Sequence, residues 1–436
     1  MVSLARVILW GQTVGGVIWN ERTNSAAFEY DKKFLQTGLD IAPIKMPIEE
    51  AAKRNAIFQF TSLPFETFRG LPGLLSDSLP DRYGNKLINE WLARQGRDID
   101  SLNPVERLCF VGKRGMGALE FEPATKGFAP KKNESIEIEE LVEIVNEILS
   151  EREKIKVNAK NSDGIKTLIK IGTSAGGARA KAIISFNKET KEIRTGQIEN
   201  SEGFESWILK FDGVSGNNLG DPEGYGKIEY TYYEMAKIAG IKMMECNLLE
   251  ENGRAHFMTK RFDRNGNEKI HMQTLCGIAH FDYNDPDLYS YEQAFGIMRN
   301  LRLDHADMEQ LFRRMVFNVL AMNSDDHTKN ISFLMNKNGS WMLAPAYDLT
   351  YAYNPKSRWT SKHQLSVNGR RIDITLNDFI ETAKSINIKR YSRIITEVKE
   401  ALIKWEELAE KNKIKPEIKN EIGRVINNQL QACGIK

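Results

Sequence analysis

The stretch Asn323-Ser324-Asp325-Asp326-His327-Thr328-Lys329-Asn330 continues as ISFLM (331–335), NKNG (336–339) and SWMLAPAYDL (340–349). It is the most informative part of the chain. Before it, Met308, Leu311, Phe312, Met315, Val316, Val319 and Leu320 recur at i, i+3, i+4 and i+7, the spacing of a core helix. That helix ends before a polar loop. Ile331 to Met335 reads as a strand, Asn338-Gly339 as a turn, and Trp341 to Leu343 as the return strand. A hairpin folded there brings its ends together and sets Asn330 near Asp348. The expected cluster is Asp325, Asn330 and Asp348. These are hard oxygen donors, suited to Mg²⁺, which keeps several waters and prefers a few carboxylates plus phosphate oxygens.

The order of these residues also matches the arrangement of protein kinases, in which D-x-x-x-x-N is followed by a later metal-holding Asp. There the first Asp accepts the proton of the attacking hydroxyl. The competing reading is purely local: Asp and Asn serve as cap and turn residues in polar loops. His327 fits either contact with phosphate or a structural place in the loop.

Nucleotide-holding parts are expected upstream. Gly172 to Lys181 (GTSAGGARAK) is a small-residue loop leading into a β-like run. Its glycines let backbone N–H groups approach phosphate oxygens, with Arg179 and Lys181 to neutralise them; an ordinary turn is the alternative. It is not a Walker A loop, because G-x-x-x-x-G-K-[ST] is absent. Lys210 lies within the apolar run WILKF (207–211), either at a sheet edge or reaching an anionic partner. The Gly- and Asn-rich loop 212–226 follows, then a helix over about 230–239. Glu234 on that helix either pairs with Lys210 or lies on the surface.

The chain has 436 residues, enough for two domains that each bury a core. Apolar residues at 41% and charged residues at 28% argue against disorder. Sixty-one Lys and Arg nearly cancel fifty-nine Asp and Glu, so nucleic acid or anionic lipid would need a local patch. Residues 384–436 carry such an excess, twelve basic against seven acidic, for which a solvated helical face is the simpler reading. Cys109, Cys246, Cys276 and Cys433 stand far apart without C-x-x-C, so neither zinc nor disulfides are expected. No run of about 20 apolar residues and no signal-peptide pattern is visible, so the expected place is the cytoplasm, with no membrane contact.

The first thirty residues read as short strands around a turn-like Gly11–Gly16. A helix is expected near Gly84–Arg94, a linker over 124–134, and an amphipathic helix carrying Ile138, Leu141, Val142, Val145 and Leu149. Short strands are expected around Ala182–Phe186, Trp207–Phe211 and His256–Arg261, and helices in the last hundred residues.

Taken together, SAGGARAK (174–181), WILKF (207–211), KRFDR (260–264), NSDDHTKNISFL (323–334) and APAYDL (344–349) resemble the HipA family. These are kinase toxins of bacterial type II toxin–antitoxin modules. The resemblance extends to FRGLPGLLSDSLPDRYGN (68–85) and ERLCFVGKRGMGALEFEP (106–123), and so spans nearly the whole chain. It implies an α+β, two-lobed protein-kinase-like fold, with a β-containing N-terminal lobe and a mostly α-helical C-terminal lobe. The implied divisions are 1–125, 126–262 and 263–436.

It further implies an ATP- and Mg²⁺-dependent serine/threonine protein kinase, with an aminoacyl-tRNA synthetase or another translation factor as protein substrate. Asp325 is then the general base, and Asn330 and Asp348 hold the metal. Gly176, Gly177, Ala178, Arg179 and Lys181 line the phosphate loop, and Lys210 meets the α- and β-phosphates. Lys260 and Phe262 belong to the adenine hinge, while His327, Lys329, Asn330 and Tyr347 border the nucleotide. Ser174 matches the family's autophosphorylated serine, where a dianion would repel ATP. The implied partner is a HipB-like helix-turn-helix antitoxin, through which the protein reaches DNA. Two departures stand out: Lys260 where the hinge often carries an acidic residue, and Arg179 in place of a glutamine. Two other classes fit parts of the pattern, a catalytically silent corepressor scaffold and a small-molecule phosphotransferase.

Overall fold

The computed structural model describes residues 4–94, 96–98, 101–123, 138, 142, 145, 179–196, 200–213 and 224–435. The chain divides into two compact units that interleave in sequence. The first comprises Met1–Glu223, Asn247–Met272 and Asn336–Gly339; the second comprises Gly224–Cys246, Gln273–Met335 and Ser340–Lys436. The mixed α/β class expected from the sequence is observed, with β-sheets concentrated in the first unit and helices in the second.

The first unit holds two five-stranded sheets. The N-terminal sheet has the order β4-β3-β2-β1-β5, from β1 (Leu4–Leu9), β2 (Gln12–Asn20), β3 (Ser25–Tyr30), β4 (Ile57–Gln59) and β5 (Leu119–Glu122). Every pairing in it is antiparallel. The turn is narrower than the sequence reading placed it. Only Trp10 and Gly11 form the loop, both at positive φ (50° and 80°), as a two-residue hairpin of matching twist requires. Gly15 and Gly16 lie inside β2 instead. A Cβ at Gly15 would sit 2.1 Å from the Glu29 carbonyl oxygen, so close strand approach accounts for that glycine.

The second sheet has the order β7-β6-β8-β10-β9, from β6 (Lys181–Asn187), β7 (Ile193–Thr195), β8 (Phe204–Lys210), β9 (Cys246–Glu251) and β10 (Arg254–Lys260). The helix Arg82–Arg94 starts where the Asp81 carboxylate accepts the Gly84 amide at 2.6 Å. Its buried face, Leu87, Ile88 and Leu92, joins Ile184, Trp207 and Leu209 of the sheet in one core. Ile138, Val142 and Val145 are helical and buried in the same core, as the amphipathic pattern predicts. Full burial of each such side chain contributes roughly 1.5–3 kcal/mol.

The second unit is built on the helix His305–Leu320. Asp304 caps it by accepting the Asp307 amide at 2.8 Å, and all seven residues of the predicted apolar stripe are buried. Helices Tyr225–Ile238, Tyr291–Asn300, Leu376–Ser385, Tyr391–Ile403, Trp405–Lys411 and Pro416–Ala432 complete this unit. The predicted hairpin forms from two further strands, Ser332–Met335 and Trp341–Leu343, with Phe333 opposite Leu343 and Met335 opposite Trp341. The four cysteines are buried and free, and among the described residues no helix is long and apolar enough to cross a membrane.

Candidate functional site

The second unit brings Asp325, Asn330, Tyr347 and Asp348 together, and the local sequence explains how. The helix His305–Leu320 ends, and Met322 takes a left-handed φ of 55° that turns the chain. Asn323 then ties the loop to the segment beyond the hairpin: its side-chain amide donates to Asn318 Oδ1 at 3.0 Å and to the Asp348 carbonyl at 3.3 Å. The Ser324 amide donates to the Ala352 carbonyl at 3.1 Å. Asp325 faces outward, its side chain 48% exposed, while Asp326 is buried.

A short 3₁₀ turn over Thr328–Asn330 follows, closed by the Asn330 amide on the His327 carbonyl at 2.8 Å. The Asn330 side-chain N–H donates to the Asp325 carbonyl at 2.7 Å, which leaves the amide oxygen as the group available to a cation. The Tyr347 hydroxyl donates to the Lys329 carbonyl at 2.6 Å and also meets Ser332. His327 Nε2 lies 4.0 Å from Asp325 Oδ1, and the Lys329 ammonium sits 4.3 Å from the centre of the Tyr283 ring.

The hairpin end is held by the core helix. Asp307 accepts the Leu343 amide at 2.9 Å, and Arg314 donates to the Ala344 carbonyl at 2.6 Å. Burial alone pushes the Arg314 guanidinium down to about 10. Asp348 follows in a left-handed conformation, φ 53°. A cavity of about 20 Å³, the size of one water, lies beneath the loop and is lined by Arg314, Asn323, Asp326, Asn330, Tyr347 and Asp348 among others.

Asn330 and Asp348 therefore line one small cavity and bring to it oxygen donors of the kind Mg²⁺ takes. Among the described residues no group of three or more His, Cys, Asp and Glu is placed to hold a metal.

The remaining expected residues lie in the first unit. Lys210 ends β8, opposite Lys181 on β6 and Phe257 on β10, with its ammonium 5.5 Å from the Phe257 ring centre. The Lys181 side chain is buried and lies 3.7 Å from the carboxylate of the equally buried Asp81. Lys260 pairs with Glu205 at 2.5 Å, and Glu205 also meets Lys188 at 3.0 Å. Phe262 is half-buried and Arg179 is exposed. Ser174, Gly176, Gly177 and Ala178 lie outside the described residues. Glu234 is engaged by Lys411 at 2.5 Å and Asn412 at 2.6 Å within the second unit, which replaces the suggested pairing with Lys210.

Two hubs were not foreseen. In KRFDR, Asp263 is fully buried and receives Arg261 through two contacts of 2.7 and 2.9 Å, Arg264 at 2.8 Å and the Gly117 amide at 2.6 Å. In the loop, Asp326 accepts the Tyr291 hydroxyl at 2.8 Å, the Gln364 amide at 2.8 Å and a contact from His363 Nδ1 at 3.2 Å. The usable signal for the first was R-x-D-R directly after an apolar strand; for the second it was an Asp doublet in an extended loop.

Comparison with known proteins places the chain by family and fold. The profile of the HipA-like C-terminal domain matches residues 173–405, and that of the HipA N-terminal domain matches residues 5–122. Over 98% of this chain and 96% of the other, the fold superposes on HipA of Shewanella oneidensis MR-1, solved with HipB and operator DNA, at TM-score 0.66 and 16% identity. Y4dM, a candidate kinase of Sinorhizobium fredii, is 28% identical over 33% of this chain and 37% of its own length. A candidate kinase of Haemophilus influenzae is 30% identical over 29% of this chain and 42% of its own length. The matched region thus spans about two fifths of each curated relative. Family profiles that together cover most of the chain, on a fold shared end to end with HipA, make this protein a member of the HipA family.

Proposed function

We propose that this chain is an ATP- and Mg²⁺-dependent serine/threonine protein kinase that serves as the toxin of a type II toxin–antitoxin module. The observation that carries the reading is the loop itself. Asp325 presents a solvent-reachable carboxylate while its own carbonyl fixes Asn330, and Asn330 and Asp348 line one cavity. Asp325 accepts the proton of a serine or threonine hydroxyl as that oxygen attacks the terminal phosphorus of ATP, whose bond to the β–γ bridging oxygen breaks and releases ADP. Asn330 and Asp348 would hold Mg²⁺, which when bound would neutralise charge on the phosphates.

Lys210 contacts the α- and β-phosphates, Arg179 and the residues Gly176 to Ala178 belong to the phosphate loop, and Lys260 and Phe262 belong to the hinge. Lys181, which forms a buried ion pair with Asp81, belongs to the same phosphate-binding group. His327, Lys329 and Tyr347 shape the loop beside the nucleotide. Phosphorylation of Ser174 would place a dianion where ATP phosphates bind and so switch the enzyme off. The partner is a HipB-like helix-turn-helix antitoxin that carries the complex to DNA. The cell target is an aminoacyl-tRNA synthetase or another translation factor, and the place of action is the cytoplasm.

The test uses the purified chain with γ-labelled ATP, Mg²⁺ and a cell lysate. Asp325→Asn is expected to cut transfer by about 10²–10⁴-fold, the usual worth of a general base, with the melting temperature unchanged. Failure of the wild type to label itself or any lysate protein refutes the kinase reading. Magnesium-dependent ATP binding without transfer would favour a silent scaffold instead.

A further inference from the structure

Past Asp348 the chain carries no Asp or Glu from Leu349 to Ile372, yet holds Lys356, Arg358, Lys362, Arg370 and Arg371. Part of this charge is already engaged. Lys362 pairs with Asp287 at 2.5 Å, Arg371 lies 3.7 Å from the same carboxylate, and Arg370 lies 3.6 Å from Asp378. The hydrogen bond from Lys362 holds the Asp287 carboxyl below its usual range, and Arg371 and Arg358 add to this. Several cations thus surround one carboxylate. Lys356 and Arg358 remain exposed, beside Trp359, which is 40% exposed with the Arg358 guanidinium 5.2 Å from its ring centre.

This exposed group stands on a fixed backbone. The Lys356 amide donates to Asn354 Oδ1 at 3.0 Å, and the Trp359 amide to Ser357 Oγ at 3.1 Å. The Gln364 side chain donates to the Trp359 carbonyl at 2.5 Å, while the Gln364 backbone amide donates to Asp326 at 2.8 Å. Asp326 directly follows Asp325. A short chain of hydrogen bonds therefore runs from the Trp359 carbonyl through Gln364 to Asp326, the neighbour of the candidate base.

We propose that Lys356, Arg358 and Trp359 form the docking surface for the protein substrate and select segments that carry acidic residues beside the target hydroxyl. This rests on the kinase reading above. Arg358 offers a planar fork that matches a carboxylate, Lys356 adds a point charge, and the Trp359 face covers the aliphatic stem of a Glu. A nucleic acid fits less well. A phosphate backbone calls for a continuous track of cations, and here Lys356 and Arg358 span three residues with Asp287 beside them.

The test uses the full chain and three fluorescent peptides with one central serine, flanked by glutamates, by glycines and alanines, or by lysines, plus a labelled single-stranded oligonucleotide. Anisotropy should show the acidic peptide binding about tenfold tighter than the neutral one at low salt, with the preference fading as salt rises. Lys356→Glu with Arg358→Glu should remove that preference and improve binding of the basic peptide, with the melting curve unchanged. Equal binding of the three peptides, or the same preference in the folded double variant, overturns the proposal. So does binding of the oligonucleotide but not the acidic peptide. Phosphotransfer to the central serine separates the two readings. Charge-dependent binding with no transfer to any peptide, to the chain itself or to any lysate protein removes the kinase and keeps the docking surface; transfer with equal kcat/KM on all peptides keeps the kinase and removes the docking surface.

Discussion

Asp263 and Asp326 are both buried carboxylates, but their surroundings are opposite in kind. Asp263 is matched by two guanidinium groups, Arg261 and Arg264, and by the Gly117 amide. Those arginines also donate to the Gly115 and Gly117 carbonyls, stitching the stretch after β10 to the stretch before β5. The nearest partners of Asp326 are a phenol, a ring nitrogen and a backbone N–H. The first hub is a charge lock whose parts are costly to separate. The second is a hydrogen-bond junction that orients a loop.

The strongest way to break this comparison is Asp263→Asn. It leaves two buried guanidinium groups short of a counter-charge and should cost about 3–5 kcal/mol in denaturant unfolding. A cost under about 1 kcal/mol would mean that Asp263 is no lock. Acid sharpens the point. Although burial opposes ionisation, Arg261 and Arg264 hold the Asp263 carboxyl well below its ordinary value of 3.8. A depressed carboxyl lends stability that is fully present above that ordinary value and is lost as pH falls through the folded one. The gap between wild type and Asp263→Asn should hold from neutral pH to about 4 and narrow only below it.

Asp326→Asn is the milder break. Its partners are mostly neutral, so about 1–3 kcal/mol is expected from imperfectly met hydrogen bonds. The signature of an orienting role is a larger loss of phosphotransfer at saturating ATP than the stability loss accounts for. Equal, small losses in both would reduce Asp326 to a packing residue. Smallest of all, Tyr291→Phe removes the hydroxyl shared by Asp326 and Asn318 and should cost about 1 kcal/mol. Thermal melts of the single variants and of Tyr291→Phe with Asp326→Asn should show a non-additive pair; strict additivity would deny that they share one junction.

The two hubs also mark where reading the sequence stops. The helix His305–Leu320 and the hairpin after it are legible because their signals are local: a 3.6-residue stripe, a strand, Asn-Gly, a strand. They are enough to bring Asn330 and Asp348 to one cavity, with the Asp325 carbonyl bonded to the Asn330 side chain. Asp263, by contrast, takes its amide partner 146 residues away, and Asp326 meets Gln364 38 residues on, so no window of sequence holds both ends. The Lys181 ion pair escapes notice for the same reason, since its partner Asp81 lies a hundred residues earlier. Gly15 shows a subtler failure: turn and close strand approach select the same residue type. The interleaving of the two compact units is likewise a result of packing that composition along the chain does not carry.

Asp348 adopts a left-handed backbone that a side chain disfavours by roughly 1–2 kcal/mol. Glycine at 348 would relieve that strain and delete the carboxylate in one step. Variants sorted by melting temperature alone would therefore drift toward losing this acid, along with any chemistry it supports. Stabilising this protein by unguided screening is therefore apt to yield sturdier chains that lack the Asp348 carboxylate.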